Sequence, residues 1–176
     1  MSFKYSEDWA EELVTLYRNA NSIEDDERLY ELLDAVEGEG CCDIRLVQPL
    51  LECLEIGIEG TDQTVYGVLA SIDYPIYYEG VFAIVNKYLD EGTDLSEETK
   101  AYVAMQVLDW QMRELTDEEY NKVVFPIVEK YLSVQQAKKY LIVLESRGVP
   151  EEYSDYKAII SFYHFFKKMV KELGNE

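Results

Sequence analysis

The sequence predicts an all-α fold of stacked antiparallel helix pairs, with about eight or nine helices. First, an eight-residue pattern occurs at residues 30–37, 66–73 and 102–109, so its copies lie 36 residues apart. Each copy opens with Tyr, has apolar residues at positions three, four and seven, and ends with an acid. Second, residues 82–89 return in similar form at 125–132. Third, no strand-like alternation bounded by turn dipeptides competes with the helical pattern.

The repeated pattern indicates what each copy buries. Apolar residues at positions one, three, four and seven are typical of one stripe of a helix. A fixed period of this length is typical of repeat arrays, in which neighbouring helix pairs stack and share a core. The Tyr residues that open the copies are therefore predicted to be core residues: Tyr30, Tyr66 and Tyr102.

The whole chain, 1–176, is predicted to form one helical-repeat domain. Residues 1–21 would be a capping helix, because they precede the repeats and an array needs a closed end. The helix pairs are predicted at 22–59, 61–91, 96–132 and 133–174.

Start and stop signals place the individual helices. N-caps are predicted at Ser6, Ser22, Asp43, Ser96, Thr116 and Ser133. Gly148 and Pro150 end the eighth helix, and Pro126 should kink the seventh or mark its true start. Helix four is expected to end at Asp73. Helix five is expected to span 75–89, and the last helix 151–173.

The charge of the chain is large and unevenly distributed. The 36 acids and 16 bases give a net charge of −20. Residues 1–120 hold 29 acids and 7 bases, whereas residues 121–176 hold 7 acids and 9 bases. Such a field repels nucleic acid and anionic membranes, and it attracts cationic proteins. The expected partner is therefore a basic protein, rather than nucleic acid or a membrane.

Three further features indicate a cytoplasmic protein. Cys41, Cys42 and Cys53 are odd in number and include no Cys-x-x-Cys pair, which is typical of a reducing compartment. The first residues do not form a signal-peptide pattern. No apolar run approaches the length needed to span a bilayer.

The sequence gives no positive sign of catalysis. Its one histidine, His164, stands between aromatic residues and is expected to be a partly buried packing residue. No Cys and His set has the spacing of a metal site, and no Gly-rich phosphate loop occurs. We therefore predict a non-enzymatic protein without a metal or cofactor.

Candidate partner-binding residues come from acids that helix stability does not require. Residues 24–27 are four consecutive acids, more than a helix N-terminus needs. The acids that end the three copies fall late in their helices, where negative charge opposes the helix dipole. Tyr and Trp beside them would supply contact area. The predicted set is Asp25, Asp26, Glu31, Asp34, Glu37, Asp73, Tyr74, Tyr77, Asp109 and Trp110. Alternatively, Asp73 caps the next helix and Asp109 lies inside a long helix six.

The paired helices at roughly residues 22–132 resemble HEAT-like repeats. A small, acidic helical-repeat chain without catalytic residues is similar to immunity proteins of bacterial polymorphic-toxin and contact-dependent growth inhibition systems. This resemblance implies one-to-one binding and neutralisation of a cationic, nuclease-type toxin domain. Two alternatives remain: a nucleic-acid mimic that inhibits a DNA- or RNA-binding protein, and a helical-repeat interaction scaffold.

Overall fold

The computed structural model describes residues 3–36, 43–56, 62–90, 94–109 and 114–173. Every regular element in these ranges is helical, which confirms the predicted all-α fold, and nine of the helices have at least seven residues. The helices are α1 (Glu7–Asn19), α2 (Ile23–Asp34), α3 (Val47–Ile56), α4 (Asp62–Ser71), α5 (Tyr74–Ile84), α6 (Asn86–Leu89), α7 (Glu97–Gln106), α8 (Asp117–Glu119), α9 (Phe125–Tyr131), α10 (Val134–Ser146) and α11 (Lys157–Leu173). A 3-10 turn (Ile44–Leu46) leads into α3, and a π-helical turn (Tyr120–Val124) joins α8 to α9.

The predicted N-caps all form. A hydroxyl oxygen accepts a hydrogen bond from the backbone amide three residues later at each of five caps: Ser6, Ser22, Ser96, Thr116 and Ser133. Asp43 accepts instead from the amide of Arg45, because a 3-10 turn follows it. These bonds satisfy amides that have no partner inside the helix, so the boundaries follow from local sequence.

The chain divides into two compact units, residues 1–80 and 81–176. In the first unit, α1 packs against α3 and α2, and α4 packs against both α2 and α3. Trp9, Leu13 and Tyr17 of α1 are buried, so this predicted capping helix is also part of the core of its unit. The prediction of one continuous array over 1–176 stays a prediction.

The second unit has an aromatic core. Its helix α10 packs against α11, α7 and α6, and α6 packs against α7. The Tyr140 and Phe166 rings stack with centroids 4.7 Å apart, and the Phe125 and Phe165 rings with centroids 4.0 Å apart. Phe162 is fully buried among these rings. Stacked and edge-on rings stabilise a core beyond the area they bury.

The repeated stripe is buried, but the Tyr that opens each copy is not part of it. Positions three, four and seven are core residues in all three copies: Leu32, Leu33, Val36, Val68, Leu69, Ile72, Ala104, Met105 and Leu108. Tyr30 is 41 % exposed, Tyr102 is 40 % exposed and Tyr66 is half-buried, so the prediction that they are core residues is wrong. With 3.6 residues per turn, position one lies about 110° from the centre of the stripe.

The copies share one feature that the sequence does not reveal. In each copy the amide of position seven donates to the carbonyl of position four, at N–O distances of 3.0, 3.3 and 3.2 Å. This tight closing turn takes away the amide that would normally bond the carbonyl of position three. A side chain replaces it each time: Trp9 Nε1 donates to Leu32 O at 3.1 Å, Ser71 Oγ to Val68 O at 2.7 Å and Tyr140 OH to Ala104 O at 2.6 Å.

Several predicted helix bounds are corrected. Helix four ends at Ser71 and not at Asp73, and helix five is divided at Val85 into α5 and α6. The last helix begins at Lys157, because residues 147–155 form a series of turns. Gly148 has φ +85°, a left-handed conformation that ends α10 as predicted.

Pro126 marks the true start of a helix. It is the second residue of α9, directly after the π-helical turn, and Pro is favoured in the first turn of a helix. Within the described ranges, no helix combines the length and apolar character that crossing a bilayer requires.

Candidate functional site

The acids of α2 form the densest group of predicted binding residues. Asp26, Glu31 and Asp34 are exposed, and so are Glu24 and Glu27 beside them. The opposite side of α2 is held by buried Leu29, Leu32 and Leu33, which fixes the orientation of the helix. An amphipathic helix with one buried face presents its remaining residues to solvent as a fixed array.

Asp25 has a structural role at the start of α2, where the sequence from Ser22 to Asp25 resembles a capping box. Its Oδ2 accepts a hydrogen bond from the amide of Asn21 at 3.2 Å, while its own amide donates to Ser22 Oγ at 3.1 Å. The Asn21 amide, together with Ser22, lowers the pKa of the Asp25 carboxyl. Asp25 is half-buried, so this carboxylate holds the start of α2 and offers less to a partner than its neighbours do.

Arg28 is held against acids of its own unit. Its Nε and Nη2 donate to the two carboxylate oxygens of Glu12 at 2.8 and 3.1 Å, and Nη1 donates to Glu31 at 2.9 Å. The hydrogen bonds from Arg28 lower the pKa of Glu12, and those to Glu12 and Glu31 raise the pKa of Arg28. Glu31 is therefore partly neutralised. Asp26, Glu27 and Asp34 form no ion pair with any residue that the structure describes.

The residues at the α4–α5 junction have different environments. Asp73 is exposed, and its carbonyl accepts from the amide of Tyr77 at 2.9 Å, so Asp73 stands at the start of α5. This agrees with the alternative that Asp73 caps the next helix. Tyr74 is half-buried. Tyr77 is fully buried, with its ring edge-on to Tyr78 at 5.1 Å, so its prediction as a partner contact is corrected: it is a core residue.

The remaining predicted residues do not join the α2 group. Asp109 belongs to the second unit, where it follows the end of α7 and is half-buried. Burial raises the pKa of its carboxyl. Helix α7 ends at Gln106, so Asp109 is not an interior residue of a long helix. Glu37 and Trp110 lie outside the described residues.

Two exposed apolar or aromatic residues of α2 were missed as surface residues, Ile23 and Tyr30. Ile23 is 74 % exposed, the largest exposure among the large hydrophobic residues of the described ranges. Together with Tyr30, it lies on the exposed face with the acids. A helical wheel centred on the buried Leu29, Leu32 and Leu33 would have found both residues, because each lies more than about 100° from the centre of that stripe.

His164 is exposed, which corrects the prediction that it is a partly buried packing residue. Phe162, Phe166 and Met169 take up the buried face of α11 and leave His164 on its outer side. There it lines an open cavity of about 440 Å³, together with Phe125, Phe165, Lys168 and others. Within the described ranges, no three His, Cys, Asp or Glu side chains are grouped so as to hold a metal ion.

A scan against protein-family models and searches of curated proteins and of solved structures find no significant match to this chain.

Proposed function

We propose that this chain is a non-catalytic binding protein for a basic protein domain, and that it acts as an immunity protein in the cytoplasm of the cell that makes the toxin. The observation that carries the proposal is the exposed acidic face of α2. Asp26, Glu27 and Asp34 lie there without an ion pair to any described residue. The unit that contains them has 19 acids and 4 bases, a net charge of −15.

The chemistry of a nuclease toxin matches this surface. An enzyme that cuts nucleic acid has to present Lys and Arg to phosphate groups. A rigid array of carboxylates competes for the same positive surface, and the long-range field accelerates the encounter. The neutralising mechanism is therefore occlusion of the basic surface, with no bond made or broken.

The proposal is tested by co-expression with a basic toxin domain encoded beside this chain's gene. We expect wild-type protein to protect the cells and to form a one-to-one complex with that domain in size-exclusion chromatography. Toxicity that persists although the chain is expressed and folded would refute the immunity role.

Binding assays with the purified protein distinguish an immunity protein from the two alternatives. A nucleic-acid mimic would displace duplex DNA from several unrelated DNA-binding proteins, whereas an immunity protein would bind one toxin domain and leave the others occupied. An interaction scaffold would bind peptides with weak salt dependence, whereas steering by carboxylates weakens steeply as salt increases.

A further inference from the structure

The exposed face of α2 combines two apolar residues with three acids. At 100° per residue, Ile23, Asp26, Glu27, Tyr30 and Asp34 all lie within about 60° of one line along the helix. Ile23 is 74 % exposed and Tyr30 is 41 % exposed. They are seven residues apart, which separates them by two turns, or about 10.5 Å along the axis. We call these five residues the α2 face.

We propose that the α2 face is a docking surface for a protein that has an apolar patch flanked by Lys or Arg. The inference rests on the proposed function and deepens it, since it names the surface and its energetic anchors. Ile23 and Tyr30 would enter the apolar patch, while Asp26, Glu27 and Asp34 would meet the flanking cations.

Charge complementarity selects this occupant. A second copy of the chain would bring the same three acids against themselves, and like charges at close range oppose association. Nucleic acid and anionic lipid are repelled for the same reason. The only base of α2, Arg28, is held by Glu12 and Glu31 and does not neutralise the face.

Ile23 and Tyr30 give the α2 face a contribution to binding that its acids do not supply. Exposed acids steer a partner and set the association rate, but desolvated apolar and aromatic anchors decide how long it stays bound. The fold gives Ile23 no packing role, because Leu29, Leu32 and Leu33 already bury the other side of α2. An Ile that is 74 % exposed, two turns from an exposed Tyr, is the kind of anchor that binding surfaces use.

Three synthetic amphipathic helical peptides of equal length test the proposal with the full-length protein. One has a Leu stripe flanked by Lys, one has Gln in place of Leu, and one has Glu in place of Lys. We expect fluorescence anisotropy to show the tightest binding for the Lys/Leu peptide, weaker binding for Lys/Gln and none for Glu/Leu. Equal affinity for Lys/Leu and Lys/Gln, or no binding of Lys/Leu, would overturn the proposal.

Paired variants locate the surface. Ile23→Ser with Tyr30→Ser, and separately Asp26→Asn with Asp34→Asn, should each raise the Kd for the Lys/Leu peptide at least about tenfold. The apolar control is Ile142→Ser on α10, since Ile142 is 67 % exposed in the other unit. The charge control is Glu151→Gln with Glu152→Gln, both exposed. Controls that weaken binding as much as the α2 pairs would contradict the assignment.

Folding controls show whether a variant loses binding or only its structure. Circular dichroism and thermal unfolding check that each variant folds, and Ile23→Ser alone serves as a milder variant that should still raise the Kd by about threefold or more.

The immunity role and the docking surface can fail separately. If wild-type protein fails to protect cells from the toxin domain while the Lys/Leu peptide still requires Ile23 and Tyr30, the immunity role is wrong and the docking surface stands. If protection succeeds but the α2 pairs have no effect on peptide or toxin binding, the docking surface is wrong and the function stands.

Discussion

In both units a side chain donates a hydrogen bond to the position-three carbonyl of the repeated pattern, but the donor differs. In the first unit the carbonyl of Leu32 accepts from Trp9, which precedes it by 23 residues. In the second unit the equivalent carbonyl of Ala104 accepts from Tyr140, which follows it by 36 residues. The repeated pattern therefore fixes the end of the helix, whereas these two donors are aromatic side chains of a helix that packs against it. Similar helix ends in the two units show that the backbone plan does not depend on one particular neighbour.

Their charges differ far more than their helices do. The first unit has a net charge of −15, whereas the second has 17 acids and 12 bases, a net charge of −5. In the second unit several bases pair with acids, as in Lys139 with Asp90 at 2.8 Å and Lys122 with Glu118 at 2.5 Å. Since both units form the same kind of helices, the excess acid of the first unit is not needed for folding. This difference in charge is the basis on which we propose a basic partner.

The largest expected effect tests the charge difference directly. Asp26→Lys with Asp34→Lys should slow association with the basic toxin domain by about tenfold or more at low salt, because steering by the first unit is reversed. The loss should shrink as salt rises, since screening weakens exposed charges. Stopped-flow kinetics across a salt series measures it. Glu151→Lys with Glu152→Lys makes the same charge change in the second unit. If this control slows association as much, the binding surface has been assigned to the wrong unit.

The next effect tests the shared hydrogen bond. Tyr140→Phe removes only the hydroxyl and leaves the buried Ala104 carbonyl unpaired, so the free energy of unfolding should fall by about 1–3 kcal/mol. Trp9→Phe removes the indole donor together with buried volume, and should cost about 2–4 kcal/mol.

Urea denaturation followed by circular dichroism measures both variants. Tyr156→Phe is the matched control, because Tyr156 is 49 % exposed, and its effect should stay within about 0.5 kcal/mol. A Tyr140→Phe protein as stable as the control would show that the bond contributes nothing.

A third prediction concerns close packing in the first unit. A Cβ added at Gly80 would lie 2.6 Å from Val47 Cγ2 and 2.8 Å from Val47 Cβ. Gly80→Ala should therefore lower the free energy of unfolding by about 1–3 kcal/mol. Val47→Ala should also cost stability because Val47 is fully buried, but the double variant should lose less than the sum of the two, since the Cγ atoms that clash are gone. Additive losses in the double variant, measured by urea denaturation, would argue against this clash.

The smallest effect concerns pH and the second unit. Burial raises the pKa of the Asp109 carboxyl, so this group binds its proton more tightly in the folded chain than in the unfolded chain. The resulting stability is present at low pH and is lost as pH rises through the folded pKa. Asp109→Asn should therefore raise Tm at about pH 7, and the gain should shrink towards about pH 4. Thermal unfolding is compared with Asp155→Asn, an exposed control, and a constant difference across pH would contradict the prediction.

The helices could be predicted because local signals determine them. Hydroxyl N-caps, Gly148 and Pro126 act on their own backbone neighbourhood, and each marks a real boundary. The break at Val85 was missed because the apolar pattern of 82–89 continues across it without a Gly or Pro. The late start of α11 was missed because residues 151–156 have no helix-breaking residue, yet turn hydrogen bonds hold them.

The candidate site was predicted only where it lies on one helix. Asp26, Glu31 and Asp34 are on the surface because the buried stripe of α2 dictates which side faces solvent. The burial of Tyr77 depends on what packs around α5, which no local pattern reveals. Tyr30 was assigned to the core because position one was read as part of the stripe, although the helical angle separates it from positions three, four and seven.

The three repeated carbonyls also differ in how far each copy depends on the rest of its unit. Only the middle copy carries its donor, Ser71, within its own eight-residue pattern. The donor to the first copy is Trp9 of α1, and the donor to the third copy is Tyr140 of α10. The middle copy therefore closes its helix with a donor of its own, whereas the outer two close theirs only when α1 or α10 is packed in place.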